Sequence, residues 1–175
     1  MTTYITADHH FNHSRIIELC QRPYTSVDEM NADMVAKWNA VVGPTDSVWH
    51  LGDFCWKGYE SVFTQLNGQK HLIIGNHDPQ STLMLPWASP PQVYQELKIK
   101  EDGITTRVVL FHYGIRSWNG MFRGVLHLHG HSHGKLPGSR LSLDIGVDCW
   151  DFSPVTLPQI KARMATLPEA NPELG

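Results

Sequence analysis

The 175-residue chain has no cysteines spaced as CxxC, and its three cysteines, Cys20, Cys55 and Cys149, are odd in number and far apart. A disulfide framework and a cysteine-built zinc site are thereby excluded. No apolar run is long enough to span a bilayer, and the opening MTTYITAD has neither the basic residues nor the apolar stretch of a secretory leader. The expectation is a cytosolic protein with no membrane partner. Positive charge is scarce as well: Lys and Arg total 14 against 17 Asp and Glu, a net charge of -3 with histidine neutral. That balance gives no warrant for a long nucleic acid as partner. Internal repeats and low-complexity stretches are missing too, and 41% hydrophobic content suits one globular domain over residues 1–167. The closing PEANPELG, residues 168–175, is polar and broken by prolines, so a loosely held tail is expected.

Histidine is abundant instead, with eleven residues, and four of them alternate through HLHGHSHG, His127 to Gly134. Their setting follows from the strand pattern. The β-branched run Thr2–Ala7 reads as a strand ending at Asp8 and His10; Ser47–Leu51 ends at Gly52 and Asp53; His71–Ile74 ends at Gly75 and Asn76. Val93–Lys100 and Thr105–Phe111 read as a hairpin turning through Glu101, Asp102 and Gly103, with the second strand ending at His112. Val125–His129 and Leu141–Ile145 are two further strands around GHSHG. Helices are predicted over Ser14–Gln21, over Val27–Val42 behind a Ser26/Glu29 capping box, over Tyr59–Leu66, and from Pro158 to Leu167. Strands and helices in this mixed order predict an α/β (α+β) domain with more than one sheet.

Five apolar runs therefore each end on residues of metal-ligand type: Asp8 and His10, Asp53, Asn76, His112, and His131 with His133. Ligands of α/β sheets bind beyond the carboxyl ends of strands, so these residues can converge on one edge. Seven such side chains serve two metals if Asp53 bridges, and mixed imidazole, carboxylate and amide donors with open positions suit hydrolytic Mn, Zn or Fe rather than a closed structural site.

The ordered blocks DHH (Asp8–His10), GDF (Gly52–Phe54), GNHD (Gly75–Asp78), the lone His112 and GHSH (Gly130–His133) resemble those of the calcineurin-like metallophosphoesterases, in particular small bacterial and phage members. The resemblance implies two mixed β-sheets packed as a sandwich and flanked by helices. It also implies one metal on Asp8, His10, Asp53 and His133, and a second on Asp53, Asn76, His112 and His131. Two divalent ions, Mn first with Zn, Fe or Ni as alternatives, would hydrolyse a phosphoester by attack of a metal-bound hydroxide, and the compact site without an evident cap domain slightly favours a diester over a monoester. The substrate expected is a small or nucleotide-like phosphoester. In those relatives the histidine at the position of His112 is often followed by Tyr-Pro, whereas here Tyr113 is followed by Gly114.

His77, between Asn76 and Asp78, matches the family's general acid, and Asp78 is expected to fix its tautomer. His13, Arg116 and Arg123 are candidates for binding the phosphate, with Trp118 as a stacking surface. His9, His50, His71, His127 and His129 read as structural, and Trp49 and Trp56 as core aromatics. A metallo-β-lactamase-like hydrolase would need an HxHxDH run, which is missing, and an HD-type phosphohydrolase would carry His-Asp on a helical face. The alternative outside catalysis is a histidine-rich metal-binding protein.

Overall fold

A computed structural model describes residues 1–101 and 103–169. Its strands are β1 (Thr3–Thr6), β2 (Ser47–His50), β3 (Gln69–Leu72), β4 (Tyr94–Glu101), β5 (Ile104–Phe111), β6 (Leu126–His129), β7 (Ser142–Asp144) and β8 (Val155–Thr156). The helices are α1 (Arg15–Leu19), α2 (Val27–Val41), α3 (Tyr59–Phe63), α4 (Gln80–Leu83) and α5 (Leu157–Met164). The strands form two mixed sheets of four, ordered β3-β2-β1-β8 and β4-β5-β6-β7. β1, β2 and β3 run parallel, as do β5, β6 and β7, while β8 and β4 close one edge of each sheet in antiparallel sense.

Period-2 alternation sorts the strand side chains. Ile5, Ala7 and Leu51 pack with Val108, Leu110, Leu128 and Leu143 between the sheets, and Ile160 and Met164 of α5 complete that core. On the outer face of the first sheet, Met30, Met34 and Trp38 recur at helical spacing along α2 and cover Val48, Phe54 and Phe63. α2 starts where expected, with Ser26 Oγ accepting the Glu29 N–H at 3.1 Å, while the Glu29 carboxylate accepts from the N–H and Oγ1 of Thr25. The sheets are joined at one end by a parallel bridge between Ala7 and Gly146, where Val147 N–H donates to the Ala7 carbonyl at 3.0 Å. That stitch lies one residue from Asp8.

Some sequence expectations shift. β3 spans Gln69–Leu72 rather than His71–Ile74: Ile73 still donates its N–H to the His50 carbonyl, but its bridge is to Gln92, and Ile74 N–H donates to the Gln92 carbonyl. The last helix begins at Leu157 behind a Thr156/Gln159 capping box and ends at Met164, and α1 and α3 are each a short five-residue segment. β8 and α4 are unanticipated, being too short to show a period. Asp102 of the expected turn lies outside the described residues, and of the expected tail only Pro168 and Glu169 are described; both are held by Arg140. No helix among the described residues is long and apolar enough to cross a membrane.

Candidate metal centre

The parallel strands of both sheets deliver their carboxyl ends to one edge. Asp8 and His10 follow β1, Asp53 follows β2, Asn76 follows β3, His112 follows β5, and His131 and His133 follow β6. Two groups result. Donor atoms of Asp8, His10 and His133 lie within 4.8 Å of one another, and so do those of Asp53, His112 and His131. Asp53 Oδ2 sits between the groups, 3.5 Å from His10 Nε2 and 3.6 Å from His112 Nε2. Asn76 Oδ1 lies 2.9 Å from His112 Nε2.

These residues fit divalent cations on a test internal to the structure. Asp8 and His10 are buried, yet Asp8 Oδ1 and His10 Nε2 have no hydrogen-bond partner, a costly state for buried polar atoms. His112 Nδ1 is 2.7 Å from the Leu51 carbonyl, which can only accept, so Nδ1 carries a proton and Nε2 is the atom turned toward the Asp53 and Asn76 oxygens. A ring nitrogen whose partner nitrogen is already committed, converging with carboxylate and amide oxygens, is the arrangement that receives a cation. Burial is also the leading cause holding His10 down to about 2, with His133 and Arg22 adding to it, which keeps its ring neutral as a ligand must be. Burial pushes the Asp8 carboxyl well above the ordinary range, an effect that an adjacent cation reverses.

The local backbone is unusual. Asp8, His10, Asp53, His131 and His133 all have left-handed φ, at 57°, 49°, 58°, 68° and 48°. Non-glycine residues held there cost roughly 1–3 kcal/mol each, and surrounding hydrogen bonds must hold them in place. Asp78 does so for the Asp53 loop: its carboxylate accepts the N–H groups of Asp53 (2.9 Å), Phe54 (2.9 Å) and Gly75 (2.8 Å). Asp144 does so for GHSHG, accepting from Ser132 Oγ and from the N–H groups of Gly134 and Gly146. The glycines of GDF and GNHD meet back to back, and a Cβ on Gly52 would lie 2.6 Å from Gly75 Cα.

The other expected residues fall into place unevenly. His77 is on the rim; its N–H donates to Asp53 Oδ1 at 2.8 Å, and its ring lies 5.6 Å from that of His10. Asp78 does not pair with the His77 ring, because both its oxygens are engaged by main-chain N–H groups. His13 lines the open hollow of about 400 Å³ that holds His10, Asp53, His77, His131 and His133. Arg116 is exposed and lines a separate hollow with Ile115, Trp118 and Leu136, and Arg123 is exposed at the end of a 3-10 turn, so neither lines the metal-site hollow. The basic groups at the rim are Arg15 and Lys135, which the sequence did not single out. Trp118 donates its indole N–H to the Val125 carbonyl, which makes it a brace for its own loop. Trp56, expected in the core, is 49% exposed at the mouth and stacks on His13 with centroids 4.6 Å apart, whereas Trp49 stacks on His71. His9 and His50 form a buried pair at 2.9 Å, and His127 and His129 bond to Ser142 Oγ and the Gly130 carbonyl.

Two residues without a sequence signal, the buried Arg22 and the largely covered Asp148, stand behind the site. His133 Nδ1 is 2.7 Å from Asp148 Oδ2, and Arg22 pairs with the same carboxylate. Burial would lower the His133 pKa, but its bonds to Asp148 and Cys20 and the charge of Asp8 overcome this and raise it to about 10. A folded-state pKa raised from 6.5 adds stability that is complete below about 6.5 and is lost as pH rises through about 10. Metal-stripped protein should therefore lose thermal stability across that window, and Asp148→Asn should flatten the decline in a pH series of melting curves.

A two-sheet fold with mixed nitrogen and oxygen donors at the strand ends is the arrangement expected of the metal-dependent phosphoesterase families. The chain belongs to the calcineurin-like phosphoesterases, whose profile matches residues 1–135. Among curated relatives, an uncharacterized protein of Methanocaldococcus jannaschii is 30% identical over 170 residues, covering 90% of this chain and 88% of that protein. The gene 66 protein of mycobacterium phage L5 is 26% identical, covering 85% of this chain and 87% of its own length. A crystal structure of a protein of unknown function from Aquifex aeolicus shares the fold with a TM-score of 0.70 at 21% identity, covering 92% of this chain and 98% of that one.

Proposed function

We propose that the protein is a dinuclear metal-dependent phosphoesterase acting on small phosphoesters, diesters in preference to monoesters. The observation that carries this reading is the near-equal distance of Asp53 Oδ2 from His10 Nε2 and His112 Nε2, the placement of a carboxylate shared by two cations. Divalent ions bound there supply a nucleophile by acidifying water and draw charge from the phosphoryl oxygens. Asp8, His10, Asp53 and His133 would hold one ion, and Asp53, Asn76, His112 and His131 the other. The oxygen-rich, nitrogen-rich donor set without thiolate favours Mn over a structural zinc.

The chain's own groups do the rest. Arg15 and Lys135 at the rim attract an anionic ester into the hollow, and His13 lies beside His10 to contact it. His77, exposed on the same rim, donates a proton from its ring to the departing oxygen. The exposed Trp56 beside His13 gives the leaving group an aromatic surface. Three free cysteines suit a reducing cytosol.

The deciding experiment assays metal-stripped protein, reloaded separately with Mn, Zn, Fe or Ni, on a panel of phosphomonoesters and phosphodiesters. Turnover that vanishes on stripping and returns with metal, highest on diesters, is expected. Tight metal binding with no turnover on any ester would leave the histidine-rich metal-binding role instead.

A further inference from the structure

Arg22 follows α1, and Asp148 lies 126 positions later in the 3-10 turn Val147–Cys149. Their ion pair is buried, with side-chain exposures of 0% and 9%. A buried pair is weak evidence of stabilisation, since well-packed apolar residues often do as well, so what the pair touches matters more than its existence. The guanidinium meets the carboxylate bidentately, Nε to Oδ1 at 2.8 Å and Nη2 to Oδ2 at 2.9 Å. Of its remaining donors, Nη1 reaches the His9 carbonyl at 2.8 Å and Met30 Sδ at 3.4 Å, and Nη2 reaches the Asp8 carbonyl at 2.7 Å. From the other side, Asp148 Oδ2 accepts the Nδ1–H of His133 at 2.7 Å. One guanidinium thus grips the left-handed Asp8–His10 turn directly and the His133 ring through a carboxylate. Those three residues are the ones whose donors cluster within 4.8 Å.

We propose that Arg22 and Asp148 are a positioning pair dedicated to the Asp8, His10 and His133 metal site. Asp148 accepts the hydrogen bond from His133 Nδ1–H, so Nε2 is the nitrogen that would face the cation once its own proton is displaced, and Arg22 fixes both Asp148 and the turn that carries the other two donors. The Asp53, His112 and His131 group has a separate brace, the Leu51 carbonyl on His112 Nδ1, and no bond to Arg22 or Asp148. The asymmetry makes the pair selective for one of the two ions. Cys20, His133 and Asp148 also cluster within 4.8 Å, but Arg22 holds both Asp148 oxygens, so that trio is a continuation of the brace and not a further cation site.

The inference rests on the two-ion reading above, and isothermal titration of metal-stripped protein with Mn²⁺ separates the two. Wild-type protein should show two binding events. Asp148→Asn should weaken one of them by roughly 10- to 100-fold, the usual loss on removing a carboxylate behind a histidine ligand, and leave the other unchanged. Arg22→Met should weaken the same event, and the double variant should add little to either single one, because the two residues act as a unit. Far-ultraviolet circular dichroism establishes that each variant is folded, and if Arg22→Met is not, Asp148→Asn alone decides. Two wild-type events that Asp148→Asn leaves unchanged, or weakens equally, overturn the positioning role. Fewer than two events in the wild type overturn the two-ion reading itself.

Discussion

Asp53→Asn should lower turnover by at least about a thousandfold, roughly 4 kcal/mol of transition-state stabilisation, and reduce bound metal below two ions per chain. The substitution is well isolated. An asparagine at this position can still accept the His77 N–H through Oδ1, and its own N–H still meets Asp78, so the loop keeps its shape. What is lost is the negative oxygen between His10 and His112. Elemental analysis of the purified variant alongside steady-state kinetics checks both halves. Two ions fully retained in Asp53→Asn would remove Asp53 from the role of bridge.

His77→Ala should separate substrates by their leaving groups. General-acid help is worth about 100- to 10,000-fold where the departing oxygen is a poor leaving group, and little where it is a nitrophenolate. Alkyl phosphoesters should therefore slow by that range and nitrophenyl esters by far less. A uniform loss on both would place His77 among the groups that merely shape the loop. Asp78 belongs to that set: its alanine variant should destabilise the Gly75–Asp53 junction, since three main-chain N–H groups would lose their acceptor.

The residues of the centre were legible because metal chemistry restricts ligand type and because each falls where an apolar run stops. Asp8, His10, Asp53, Asn76, His112, His131 and His133 announce themselves in the chain one loop at a time, and parallel strands put the loops on one edge. Sequence neighbourhood misled elsewhere. Asp78 adjoins His77, but a turn aspartate finds nearby backbone N–H groups before it finds the next side chain. Arg116 and Arg123 lie between two candidate ligands in the sequence, yet neither lines the hollow that holds His10 and Asp53. Arg22 and Asp148 carried no signal, because neither is periodic nor part of a motif and their meeting depends on tertiary closure. More than one sheet followed from strand order and the two-sheet sandwich from the family resemblance, whereas β8 and the exact span of β3 did not follow from either, being decided by pairing partners rather than by local pattern.

The left-handed backbone at Asp8, His10, Asp53, His131 and His133 sets durability against chemistry at the same five positions. Glycine would relax each of them while deleting a candidate donor, so stability gained in these turns would be lost from the donor set.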